Sequence, residues 1–109
     1  MNRILLILLG ICFSITANAE CSSKSCSAVN VEMLYVQKDA DVLVGTSGTE
    51  ANLNCGTASN GYVTLLSSSD NFNVMYSTLL ASRMANKSVR IRISESSEKC
   101  TILYLVSEG

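Results

Sequence analysis

A small, mainly β domain with a single helix is the fold the sequence predicts. Three observations carry this. Apolar residues alternate in several short stretches, and a single stretch follows three- and four-residue spacing instead. Four cysteines lie beyond an apolar amino-terminal leader, the pattern of a small cross-linked domain.

The leader comes first. Asn2 and Arg3 give a positive start, Ile4 to Ile15 is almost unbroken apolar sequence, and Ala17-Asn18-Ala19 offers small residues where a signal peptidase reads. Residues 1–19 are therefore expected to be a signal peptide cleaved before Glu20. That leaves residues 20–109 as one domain, periplasmic or secreted. The apolar run is too short for a comfortable membrane span and no stop-transfer pattern follows, so no stable membrane anchor is expected. Acylation at Cys12 is disfavoured, because Ile11 stands where a lipoprotein signal needs a small residue.

Val29 to Val36 begins by alternating, with Val29, Val31, Met33 and Tyr35 on one face, and reads as the first strand. The polar segment 37–41 turns the chain into a second strand, Val42 to Thr46. Ser47-Gly48-Thr49-Glu50 is a loop by composition, and Leu53 to Cys55 a short extended piece. Asn60-Gly61 is the strongest turn signal, since both residues tolerate positive φ. Tyr62 to Leu66 follows as the third strand. Phe72, Met75, Tyr76, Leu79, Leu80 and Met84 then form the apolar stripe of a helix over Asp70 to Ala85. Ser69 or Asp70 is the expected N-cap, and Asn86 the left-handed stop. Val89 to Ile93 alternates cleanly, with Arg90 and Arg92 outward. Cys100 to Val106 closes the domain. The resulting order, β-β-β-α-β-β, is that of an OB-like small five-stranded barrel. A curved open sheet with the helix across one face fits the same periodicity.

Cys12 leaves with the leader, and Cys21, Cys26, Cys55 and Cys100 remain. An even number in an exported chain predicts two disulfides. Chain entropy gives about 4 kcal/mol for Cys55–Cys100 and about 2 kcal/mol for Cys21–Cys26. The crossed pairings would constrain the unfolded chain more, so entropy does not choose among the three connectivities. Position favours Cys55–Cys100 with Cys21–Cys26, because the first two flank strand-like segments and the others flank a short Ser-Ser-Lys-Ser loop.

The chain contains no His, no Trp and no Pro. Without His, the usual base for a Ser or Cys nucleophile is missing. No phosphate loop or G-x-S-x-G motif is present, and Gly45-Thr46-Ser47-Gly48 fits a loop better than a cradle. Asp39-x-Asp41 reads as a solvated turn rather than a cation site. The expectation is a non-catalytic protein with no cofactor and no metal. Loss of Arg3 leaves seven of the eight basic residues against nine acidic ones, a net charge of about −2. That argues against nucleic acid and anionic lipid. Arg90 and Arg92 are the sharpest charged feature. They are candidate ligand contacts, since guanidinium grips carboxylates and planar groups. The plainer reading is a solvated strand face paired with Glu95 or Glu98.

Tyr76-Ser77-Thr78-Leu79-Leu80-Ala81 running into Lys87-Ser88-Val89-Arg90-Ile91-Arg92-Ile93 resembles the helix-to-strand region of the receptor-binding B subunits of bacterial A–B toxins, of the subtilase-cytotoxin and pertussis type. It also resembles short exported bacterial proteins with a Cys…Cys…Y-S-x-L-L-A pattern. The resemblance implies an OB fold and receptor binding, but carries no sugar-binding residue onto a named position. The functional expectation is an exported binding module for a glycan or a protein, open to homo-oligomer formation. The alternatives are a periplasmic inhibitor or accessory protein of an enzyme, and a structural assembly component.

Overall fold

The computed structural model describes residues 18–56 and 61–108. The expected leader lies outside the described residues up to residue 17, as does Asn60 of the Asn60-Gly61 turn. Gly61 has φ +69°, a conformation that turn chemistry asks of glycine.

Among the described residues, seven strands and one α-helix follow in order: β1 (Glu20–Ser22), β2 (Ser25–Val29), β3 (Val31–Val36), β4 (Val42–Thr46), β5 (Val63–Leu65), α1 (Phe72–Ala85), β6 (Val89–Ile93) and β7 (Ile102–Ser107). A 3-10 turn, Glu50–Asn52, lies between β4 and β5. The strands make two antiparallel sheets, one ordered β1-β2-β6-β7 and one β3-β4-β5. This corrects the expected five-stranded barrel with three strands before the helix: five strands precede α1, and no closed barrel forms. Of two isolated parallel bridges, Ser23↔Leu53 ties the β1–β2 turn to the chain after the 3-10 turn, and Thr64↔Thr101 ties β5 to the approach to β7. The second is held by the Thr64 N–H donating to the Cys100 carbonyl at 3.0 Å. β5 is only three residues long, too short to follow β7 beyond that point.

The extra hairpin arises from E-C-S-S-K-S-C-S-A-V, which has no apolar alternation to announce it. The Cys21–Cys26 disulfide closes it instead, across residues directly opposite in the ladder, and Ser23 turns it with φ +53°. The strand expected over Val29 to Val36 is cut at Asn30. Val29 pairs with β6, whereas Val31 pairs with β4, so one residue carries the chain from sheet to sheet. The Ser47 Oγ accepts the Asn30 N–H at 2.9 Å, and the Asn30 carbonyl accepts the Ser47 N–H at 3.0 Å. A bulge between Val31 and Met33 then reverses the faces of β3. Leu34 packs against the core, while Tyr35 is 53 % exposed.

The core lies between the sheets and under the helix. Val29, Val42, Val44, Val63, Leu65, Leu79, Val89, Ile91 and Ile93 are completely buried. Each such side chain contributes about 1.5–3 kcal/mol by leaving water. The second disulfide, Cys55–Cys100, ties the loop before β5 to the entry of β7. Both bridges match the pairing that position favoured. Cys100 does not begin a strand, however: its φ is +52°, and β7 starts two residues later.

The helix is shorter than expected at its start. Its first residue is Phe72, and Asn71 at the N-cap makes no side-chain capping bond, nor does Ser69 or Asp70 supply one. The Ser69 carbonyl instead accepts the Phe72 N–H at 3.1 Å. Asn86 ends the helix at φ 55°, ψ 45° as expected, and the Lys87 N–H closes the turn on the Ser82 carbonyl. Phe72, Met75, Tyr76 and Leu79 face the core. Leu80 and Met84 do not; Met84 is 80 % exposed and Ser82 is buried in its place. Arg83 explains the roll of the helix. Its guanidinium reaches the carbonyls of Val31 and Glu32, at 3.4 and 2.5 Å, and docks the last turn on the edge of β3.

Candidate ligand-contact face

The alternation V-R-I-R-I places β6 with Val89, Ile91 and Ile93 inward. β6 lies between β2 and β7, so its arginines emerge at the middle of the outer face of the four-stranded sheet. Register fixes their neighbours. Arg92 stands between Ser25 on β2 and Tyr104 on β7, and Arg90 stands opposite Val106.

The two arginines differ in environment. Arg90 is exposed, and its guanidinium meets Glu108 Oε2 at 3.2 Å. The other Glu108 oxygen accepts the Ala28 N–H at 2.9 Å, which fixes the carboxylate over the bulge where Ala28 holds φ +54°. The acid partner expected for these arginines, Glu95 or Glu98, is thus replaced by Glu108, because the β6–β7 register brings the end of β7 alongside the start of β6. Glu95 accepts from the Asn54 amide instead, at 3.1 Å. Arg92 is half-buried and has no acidic partner among the described residues. Its Nε is buried and meets no hydrogen-bond acceptor. A donor in that condition carries a cost of about 1–3 kcal/mol.

Beside Arg92 the surface turns hydroxyl-rich. Glu20, Ser22, Ser23, Lys24, Ser25 and Ser27 line an open depression of about 450 Å³ on the β1–β2 hairpin. Tyr104 flanks Arg92 on the other side and is 48 % exposed. The face therefore combines an unneutralised guanidinium, an aromatic plane and several hydroxyls. It can grip a carboxylate, stack on a flat or apolar ring face, and exchange hydrogen bonds with polyol groups. The sequence pointed to Arg90 and Arg92 but left out Ser25, Tyr104 and Glu108. Only the register of three strands brings these to the arginines, and the bulge between Arg92 and Ile93 offsets that register from simple hairpin counting.

Asp39, Asp41 and Glu50 serve the scaffold. The Asp39 Oδ1 accepts the Asp41 N–H at 3.0 Å, and the Asp41 Oδ1 accepts the Ser67 N–H at 2.8 Å. The Ser67 backbone bond holds the Asp41 carboxyl below its ordinary value against the opposing effect of burial, with the Lys99 ammonium, 3.6 Å from Oδ2, adding to the lowering. Glu50 accepts from both the N–H and the hydroxyl of Thr46, at 2.7 and 2.8 Å, and so closes the loop after β4. Among the described residues, no three His, Cys, Asp or Glu side chains converge as a metal site, and no helix is long and apolar enough to cross a membrane.

No protein-family model, no curated protein and no solved structure matches the chain.

Proposed function

We propose that the chain is an exported, non-catalytic binding module that takes a carboxylate-bearing glycan or protein ligand on the face centred at Arg92. The observation that carries the reading is the half-buried Arg92 side chain, which has no acidic partner among the described residues while Ser25 and Tyr104 flank it. Two disulfides suit an oxidising compartment, periplasmic or extracellular. The resemblance to toxin B subunits favours glycan recognition over the inhibitor and assembly readings.

A glycan array probed with the oxidised protein, with Arg92→Gln as the matched control, tests the proposal. Retention of acidic glycans by the wild type and its loss in the variant is the expected result. The reading is overturned if no glycan is retained and if wild type and Arg92→Gln also capture the same proteins from a periplasmic extract.

A further inference from the structure

β7 forms an open edge of the larger sheet, and the edge is self-complementary. Glu108 donates its N–H to the Ser88 carbonyl at 2.9 Å, so 88 and 108 are a hydrogen-bonded pair. The antiparallel alternation then turns the N–H and C=O of Leu105 and Ser107 away from β6. Neither has a backbone partner there among the described residues. Leu103, Tyr104 and Val106 expose 53, 48 and 38 % of their surface along the same strand. No Pro and no charged side chain stands on β7, and its ladder is interrupted only at one end, by the bulge at Leu103.

We propose that β7 pairs antiparallel with β7 of a second copy of this chain, about a two-fold axis at Leu105, to make a continuous eight-stranded sheet. In that register Leu105 faces its own copy and Tyr104 stands beside Val106, a favourable aromatic–β-branched pair, while Leu103, the extra residue of the β7 bulge, lies at the end of the ladder. Charge fits this occupant. Exposed Asp70 lies beside the Leu103 end of β7, and exposed Lys87 adjoins Ser88 at the Ser107 end. Neither has an ion-pair partner among the described residues. Antiparallel pairing brings Asp70 of each copy to the end that holds Lys87 of the other. The exposed apolar residues of this edge are Leu103, Tyr104 and Val106, and their area falls far short of the ~800 Å² per partner of a standard interface. The dimer therefore belongs at the small end of the range, where its dissociation can be followed by dilution.

Sedimentation of the oxidised protein over a concentration series tests this without any ligand, so its outcome is independent of the Arg92 reading. The wild type is expected to move from monomer to dimer. Asp70→Lys and Lys87→Glu should each weaken the dimer about tenfold, since both symmetric pairs become repulsive. An equimolar mixture of the two variants should restore it, because only the mixed dimer has two attractive pairs. Ser107→Pro, which removes an N–H the monomer leaves unused, should abolish association with an unchanged thermal midpoint at low concentration. A wild type that stays monomeric, single variants that dimerise like the wild type, or a mixture that stays monomeric would each overturn the proposal.

Discussion

Asp41 joins three parts of the domain through one carboxylate. It follows the turn at Asp39, receives the Ser67 N–H from beyond β5, and meets Lys99 before β7. Because its pKa is lowered from the ordinary 3.8 in the folded state, the unfolded chain binds a proton more readily than the folded one. Its contribution is therefore fully present above the ordinary value and lost as pH falls through the lowered folded value. Asp41→Asn should lower stability at neutral pH by about 1.5–3 kcal/mol, the range for hydrogen bonds to a charged group. The variant should also lose stability less steeply than the wild type on acidification below about pH 4. Urea unfolding at neutral and acid pH reads both effects, and equal acid slopes would contradict the assignment. The sequence marked Asp39 and Asp41 as a solvated turn. Asp39 caps that turn, but Asp41 is only 7 % exposed. Its burial depends on Ser67 and Lys99, which lie 26 and 58 positions away, beyond any local pattern.

Among the elements, those bounded by local signals were legible. β4 and β6 have the limits their alternation implies, and α1 ends at Asn86 where a left-handed residue was expected. The elements that depend on partners were not. The β1–β2 hairpin consists of serines and cysteines, and β3 is rephased by a bulge that its sequence does not mark. The same hairpin sets a steric limit. The loop after β4 passes over it at Gly48, where an added Cβ would stand 2.7 Å from Cys21 Sγ and 3.0 Å from Val29 Cγ1. Gly48→Ala should therefore push the loop off the disulfide and cost about 1–3 kcal/mol, as overpacking does. Thermal melts of the oxidised proteins measure it, and a variant as stable as the wild type would show the loop to be free to move.

At the level of the whole molecule, the two bridges have unequal tasks. Cys21–Cys26 staples neighbouring strands of one hairpin, whereas Cys55–Cys100 links segments 45 positions apart. The double change Cys55→Ala/Cys100→Ala should lower stability by about 2–5 kcal/mol, and Cys21→Ala/Cys26→Ala by less, since a shorter loop constrains the unfolded chain less. Melting curves of the two double variants rank them directly, and the reverse order would show the hairpin to be the main staple. The Arg92 face was legible at this level only as a pair of outward arginines. The contrast between them, one neutralised by Glu108 and one not, exists only after β2, β6 and β7 are paired in register.

The two bridges also share an order along the chain: first cysteine with second, third with fourth. A polypeptide delivered amino end first to an oxidising enzyme offers Cys21 a partner before Cys55 has appeared, and Cys55 then has only Cys100 left to wait for. Stepwise oxidation in the sequence of arrival thus produces the native pairing without reshuffling, which otherwise takes seconds to hours. For the exported protein proposed above, an oxidant at the point of entry is then enough to set the pairing of Cys21 with Cys26 and Cys55 with Cys100.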